Sequence, residues 1–106
     1  MESKLEILVI GTNVKILETV LRLLNTKENW IATGVLSPDE ALRMCRESNY
    51  QVFLIGAGLS DVEEAALSAQ IKEIQPGIHI IPHYGGGSGL LFAEIYLALG
   101  TTNQAQ

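Results

Sequence analysis

Four short runs of apolar residues divide the chain at similar intervals, and they cover Leu5–Ile10, residues 30–36, Val52–Ile55 and residues 78–81. The run Val52–Ile55 has no polar member and is followed by Gly56, which is typical of a strand buried on both faces at the centre of a parallel sheet. Residues 30–36 are less apolar and are interrupted by Gly34, which favours an edge position for that strand.

Polar residues that favour helix N-termini follow each of the first three runs. Thr12 or Asn13 can cap a helix whose apolar stripe extends over Val14–Leu24. Ser37 and Ser60 each begin a capping-box pattern, in which a glutamate follows three positions later. The sequence therefore predicts helices after the first, second and third strands.

In the third helix, we expect Val62, Ala66, Ile71 and Ile74 to form the buried side. Residues 90–99 follow a glycine-rich loop and predict a fourth helix. Four strands alternating with four helices imply right-handed crossovers and a parallel sheet covered on both faces. We interpret residues 1–106 as a single α/β domain.

Composition and charge narrow the classes of function. The formal charge is −5, from 12 acidic residues against 7 lysines and arginines, which disfavours binding to nucleic acid or to an anionic membrane surface. No apolar run approaches the roughly 20 residues of a membrane-spanning helix, and the first residues lack the pattern of a signal peptide. We therefore expect a cytoplasmic protein, in which the single Cys45 is a buried, small apolar residue.

The segments LEILVIGTN, LSPDEALRMC and YQVFLIGAGLS resemble the receiver domain of two-component response regulators. The resemblance extends from residue 5 to about residue 84, in hydrophobic pattern and spacing. It implies a flavodoxin-like fold with three α/β/α layers. The family's fifth strand has no counterpart here, so the resemblance implies a parallel sheet truncated to four strands in the order 2-1-3-4.

The positions that give the receiver family its chemistry are altered in this chain. The resemblance matches the family's acidic, magnesium-binding pair to Gly11 and Thr12, and its phosphoacceptor aspartate to Gly56. Magnesium is held through carboxylates, and phosphoryl transfer to a protein needs a nucleophilic side chain. We therefore expect no phosphorylation, no catalytic residue, no metal and no cofactor.

A glycine-rich loop gives an alternative function, the binding of a small anion or nucleotide. The candidate ligand-binding residues are Gly85, Gly86, Gly87, Ser88 and Gly89, with Thr12 and Asn13 at the same edge of the sheet. Consecutive backbone N–H groups before a helix can hold an anion. The loop has neither the Gly-Lys-Ser/Thr ending of a Walker loop nor the spacing of a dinucleotide fingerprint. A flexible or tight connection that lets the last helix pack closely on the sheet is the simpler interpretation.

The two histidines, His79 and His83, do not form a convincing metal site. On a strand, positions four apart share a face but lie roughly 13 Å apart, which is too far to ligate one ion. Pro82 argues against a helix, in which the same spacing would suit a metal. We expect His79 to be a strand residue that points to an edge of the sheet or to a partner.

The predicted fourth helix indicates an interaction surface. Residues 90–99 contain one charged residue, Glu94. A helix that is apolar on all sides is normally buried against other parts of a protein on several of those sides. Without a fifth strand, residues 78–81 form an apolar edge that soluble proteins usually protect. We expect a homodimer whose interface contains Ile78, Ile80, Leu91, Phe92, Ile95, Tyr96 and Leu99, unless residues 82–89 fold over the edge. The predicted function is a non-enzymatic, phosphorylation-independent domain that acts in signalling by binding itself and a further, unidentified protein.

Overall fold

The structure is a computed structural model that describes residues 4–56 and 58–82 together with Ile95. Its elements are β1 (Leu5–Ile10), α1 (Val14–Leu24), β2 (Trp30–Val35), α2 (Pro38–Glu47), β3 (Val52–Ile55), α3 (Asp61–Ile74) and β4 (His79–Pro82). The predicted alternation is confirmed over this part of the chain. The second strand ends one residue earlier than predicted, and the fourth is shifted one residue towards the C-terminus.

The four strands in the described part of the chain are parallel, in the order β2-β1-β3-β4. The predicted order is therefore confirmed, and the strand that contains Gly34 lies at the edge, as the sequence indicates. β1 pairs with β2 from Leu5 opposite Trp30 to Ile10 opposite Val35, and its other side pairs with β3. The two strands with the most continuous apolar sequences thus occupy the centre of the sheet.

Two apolar cores lie on opposite faces of the sheet because successive strand residues point to opposite sides. The core on the α2 and α3 side includes Phe53 and Leu8, whereas the core on the α1 side includes Leu54 and Val9. Cys45 is 3% exposed and belongs to the first core, which confirms its predicted role as a small buried apolar residue.

Ile95 is helical and fully buried, and it belongs to the core on the α1 side. A right-handed crossover that continued from β4 to a further parallel strand would place its helix on the other side, with α2 and α3. The position of Ile95 is therefore not that of a crossover helix leading to a fifth strand.

The predicted buried side of α3 is wrong at Val62 and Ala66. Val62 is 79% exposed and Ala66 is also exposed, whereas Leu67 and Ile71 are buried. At about 3.6 residues per turn, Val62 lies on the opposite side of the helix from Ile71, so one apolar face cannot contain both. α3 consequently has apolar residues on two opposite sides.

Side-chain caps fix the starts of the second and third helices. At α3 the capping box is complete, because Ser60 Oγ accepts from the Glu63 N–H at 3.1 Å and Glu63 Oε1 accepts from the Ser60 N–H at 3.0 Å. At α2, Ser37 Oγ accepts from the Glu40 N–H, but Glu40 Oε1 accepts from the Leu36 N–H. The predicted reciprocal box is therefore confirmed at Ser60 and wrong in its second half at Ser37.

Candidate functional site

The carboxyl ends of β1 and β3 meet at the edge where open α/β sheets usually bind ligands. The ladder continues one residue beyond each strand, since the Gly11 N–H donates to the Val35 carbonyl at 3.2 Å and the Gly56 N–H donates to the Ile10 carbonyl at 2.8 Å. Gly11 and Gly56, which the resemblance matches to a metal-binding acid and to the phosphoacceptor, therefore lie beside each other.

Gly56 has little room for a side chain. A Cβ atom built on it would lie 3.0 Å from the carbonyl oxygen of Ile10, which belongs to the fixed backbone of the central strand. At Gly11 a Cβ would make an ordinary contact, 3.9 Å from the side chain of Leu17. The position matched to the phosphoacceptor is thus the more crowded of the two.

Thr12 contacts the loop that follows β3. Gly58 in that loop has a φ of +113°, a conformation that favours glycine, and a Cβ on Gly58 would overlap the Thr12 hydroxyl group. The loops after β1 and β3 therefore touch through a threonine side chain and a glycine backbone.

Asn13, the second ligand-binding candidate at this edge, is the N-cap of α1. Its Oδ1 atom accepts from the Ile16 N–H at 3.0 Å. Of the two predicted caps, Thr12 and Asn13, the N-cap is therefore Asn13. This bond holds the side chain against the helix. The other candidates, Gly85, Gly86, Gly87, Ser88 and Gly89, lie outside the described residues.

A small apolar cavity opens beside Gly56. It has a volume of about 20 Å³ and is lined mainly by aliphatic side chains of α1 and β1, including Ile16, Val20 and Val9, with the backbone of Gly11. A volume of this size holds about one water molecule. It does not accommodate a nucleotide.

The predicted interface residues have different environments. Ile78 is 1% exposed and Ile95 is fully buried, each in one of the chain's own cores, while Ile80 is partly buried. Ile78 and Ile95 are therefore covered without a partner and offer no surface for one. Leu91, Phe92, Tyr96 and Leu99 lie outside the described residues. His79 lies in β4 with an exposed side chain, and His83 is not described.

The amino edge of the sheet contains a hydrogen-bonded cluster that the sequence did not predict. The Gln75 side chain accepts from the Tyr50 N–H at 2.8 Å and donates to the carbonyls of Cys45 at 2.8 Å and Ser48 at 2.6 Å. One amide thus joins the ends of α2 and α3 to the residue pair that precedes β3. Gln51 adds a bond from the Glu6 N–H to its Oε1 atom at 2.7 Å.

Two titratable groups lie next to this cluster. Burial raises the pKa of the Tyr50 phenol, and the nearby Cys45 and Glu6 raise it further, whereas a hydrogen bond with Thr33 lowers it. Burial also raises the pKa of the Cys45 thiol. Both groups are consequently held in their neutral forms at neutral pH, which is the reverse of what an activated nucleophile requires.

Two kinds of feature, a metal-ligand cluster and a membrane-spanning helix, are absent from the described residues. Within residues 4–56 and 58–82, no three histidine, cysteine, aspartate or glutamate side chains are grouped so that they could hold a metal ion. No helix in the same part of the chain is long and apolar enough to cross a membrane.

Neither a protein-family model nor a curated protein matches the sequence. Solved structures do match the fold. A CheY-like response regulator receiver domain from Methylobacillus flagellatus has a TM-score of 0.72 at 19% identity, covering 93% of this chain and 98% of that chain. The BeF3-activated DrrB receiver domain has a TM-score of 0.76 at 17% identity, covering 92% of this chain and 98% of that chain.

A further CheY-like receiver domain protein, from Methanospirillum hungatei, has a TM-score of 0.69 at 21% identity, covering 91% of this chain and 76% of that chain. These similarities confirm the resemblance drawn from the sequence at the level of the fold. The chain has the flavodoxin-like fold of CheY-like receiver domains.

Proposed function

We propose that this chain is a receiver-fold domain that acts in signalling by binding other proteins and accepts no phosphoryl group. The observation that carries the proposal is the carboxyl edge, where Gly56 lies at the position matched to the acceptor and a Cβ atom on it would be crowded by the Ile10 carbonyl oxygen. Gly11 and Thr12, beside it, have no carboxylate for magnesium.

The signalling part of the proposal comes from the proteins that share the fold. Two solved structures that share the fold over more than nine-tenths of both chains are described as a response regulator receiver domain and as a receiver domain. A domain that keeps this fold without the residues for phosphoryl transfer can still contribute a shaped surface, because binding depends on surface chemistry and not on the acceptor. Fold likeness alone does not fix the partner.

Incubation with acetyl phosphate and Mg²⁺, followed by intact mass measurement, tests the phosphorylation part. We expect no mass increase for the unmutated protein. We also expect none for Gly56→Asp, because the Cβ of the new residue would be crowded by the Ile10 carbonyl and its carboxylate would have no metal-binding acids at Gly11 and Thr12 beside it. A stable adduct of one phosphoryl group on the unmutated protein would refute the proposal.

We retain self-association as the narrower proposal. Its support is the apolar sequence of residues 90–99 together with the partly buried Ile80 at the edge strand β4. Light scattering behind size exclusion tests it, and a monomer at tens of micromolar would contradict it. The anion-binding alternative receives no support from Asn13, whose Oδ1 atom caps α1, or from the small apolar cavity next to Gly56.

A further inference from the structure

The outward side of α3 is apolar over its first ten residues. Val62 is 79% exposed, which is the highest exposure of any large apolar residue in the described part of the chain. Ala65, Ala66 and Ala69 are exposed on the same side of the helix. These four residues form the α3 face.

The fold itself does not require the α3 face to be apolar. The inward side of the helix already contacts the core through Leu67 and Ile71. A surface helix normally carries polar residues opposite its buried side. Valine is also a weaker helix former than alanine or glutamate, so Val62 adds no intrinsic helix stability at this exposed position.

Acidic residues surround this apolar strip. α3 contains Asp61, Glu63, Glu64 and Glu73 against a single lysine, a net charge of −3 in a chain whose total is −5. The one lysine, Lys72, is turned towards the protein, where its Nζ atom donates to the Ile78 carbonyl at 2.7 Å. An incoming surface therefore meets apolar side chains with negative charge around them.

We propose that the α3 face docks a helix from a different protein, with large apolar residues along one side and lysines or arginines flanking them. This inference rests on the proposed function, since it names the surface through which the domain binds. The alanines leave shallow grooves that larger side chains can fill. Basic flanks would complement the charge of α3, whereas a second copy of the same acidic helix would be repelled.

A labelled amphipathic peptide with leucine along one side and lysine elsewhere provides the probe. We expect it to bind the full chain, and we expect Val62→Asp to weaken binding at least tenfold although this change adds negative charge. The matched control is Val14→Asp, because Val14 is 50% exposed and also lies in the first turn of its helix, α1. This control should change the dissociation constant less than twofold. A second variant on the α3 face, Ala69→Glu, should weaken binding like Val62→Asp.

Two further arms separate apolar contact from general charge attraction. A peptide with glutamate in place of lysine should not bind, and raising the salt concentration should weaken binding of the lysine peptide. Equal effects of Val62→Asp and Val14→Asp, equal binding of both peptides, or no binding at all would overturn the proposal. Self-association that Val62→Asp abolishes would also overturn it, because the occupant would then be a second copy.

The proposed function and the docking surface can fail separately. If no phosphoryl group is taken up but the α3 variants behave like the control, the α3 face falls and the proposed function stands. If the protein is phosphorylated, the proposed function falls whatever the peptide does.

Discussion

The carboxyl and amino edges of the sheet are held together in different ways, the first by close backbone contacts and the second by side-chain hydrogen bonds. At the carboxyl edge, the central positions are Gly11, Gly56 and Gly58, and the loops meet through contact with Thr12. At the amino edge, two glutamine side chains bond backbone groups of α2, β1 and the chain before β3. The edge that usually holds chemistry in this fold is therefore built for close backbone approach, whereas among the described residues the opposite edge holds the side-chain hydrogen bonds between distant parts of the sequence.

The largest difference between the edges should appear on changing Gln75→Leu. This substitution removes the partners of the Tyr50 N–H and of the Cys45 and Ser48 carbonyls, and we expect a loss of about 3 kcal/mol in the free energy of unfolding. The control is Gln70→Leu, an exposed position on the same helix, which should stay within about 0.5 kcal/mol. Urea unfolding measures both. Equal effects would mean that the cluster contributes no special stability.

This cluster shows what a single sequence could not predict. The bond between Tyr50 and Gln75 joins residues 25 positions apart, and that between Glu6 and Gln51 joins residues 45 positions apart. Local spacing contains no signal for such pairs, because a glutamine at a helix end is ordinary until its distant partners are known. The strands were predictable because Val52–Ile55 is a continuous apolar run and Leu5–Ile10 is apolar except at Glu6, a pattern typical of central parallel strands.

The error at Val62 has a different cause. α3 contains apolar residues on both sides, so periodicity alone could not decide which of them faces the sheet. At the candidate site, the resemblance matched Gly11, Thr12 and Gly56 to the family's functional positions, and the structure shows that Gly11 and Gly56 directly follow β1 and β3. The crowding around Gly56 and the contact between Thr12 and Gly58 depend on backbone positions that only the structure provides.

At the carboxyl edge, the second largest effect is expected for Gly58→Ala. The φ of +113° and the overlap with Thr12 should together cost about 2 kcal/mol of stability. Adding Thr12→Gly to this variant should restore the stability that is lost through overlap with the Thr12 side chain. The loss that is due to the backbone conformation at residue 58 should remain. Gly77→Ala is the control, since a Cβ there meets no atom within 4 Å, and it should be neutral or stabilising by about 0.5 kcal/mol. Thermal unfolding of the three variants and the unmutated protein tests this, and equal melting temperatures for Gly58→Ala and Gly77→Ala would contradict it.

The smallest expected effect is a loss of folding stability at alkaline pH that is caused by two residues at the amino edge. Cys45 and Tyr50, with ordinary pKa values of 9.0 and 10.0, both have raised pKa values because they are buried. The folded state therefore holds these protons more tightly than the unfolded state, so stability is complete below about pH 9 and decreases as the pH rises through the folded-state values. Urea midpoints measured between pH 7 and pH 11 should fall less steeply in Cys45→Ala with Tyr50→Phe than in the unmutated protein. Parallel curves would show that other groups cause the alkaline loss.

The position of Gln75 also has a consequence for the order of folding. Its side chain bonds residues 25, 27 and 30 positions earlier in the chain, so these bonds form only after α2 has ended and α3 has crossed the sheet. Contacts between such distant residues require the closure of long loops and are made slowly. The amide proton of Tyr50 is therefore expected to become protected from hydrogen exchange late in folding. In the native state, it should exchange with solvent only when the end of α3 separates from β3.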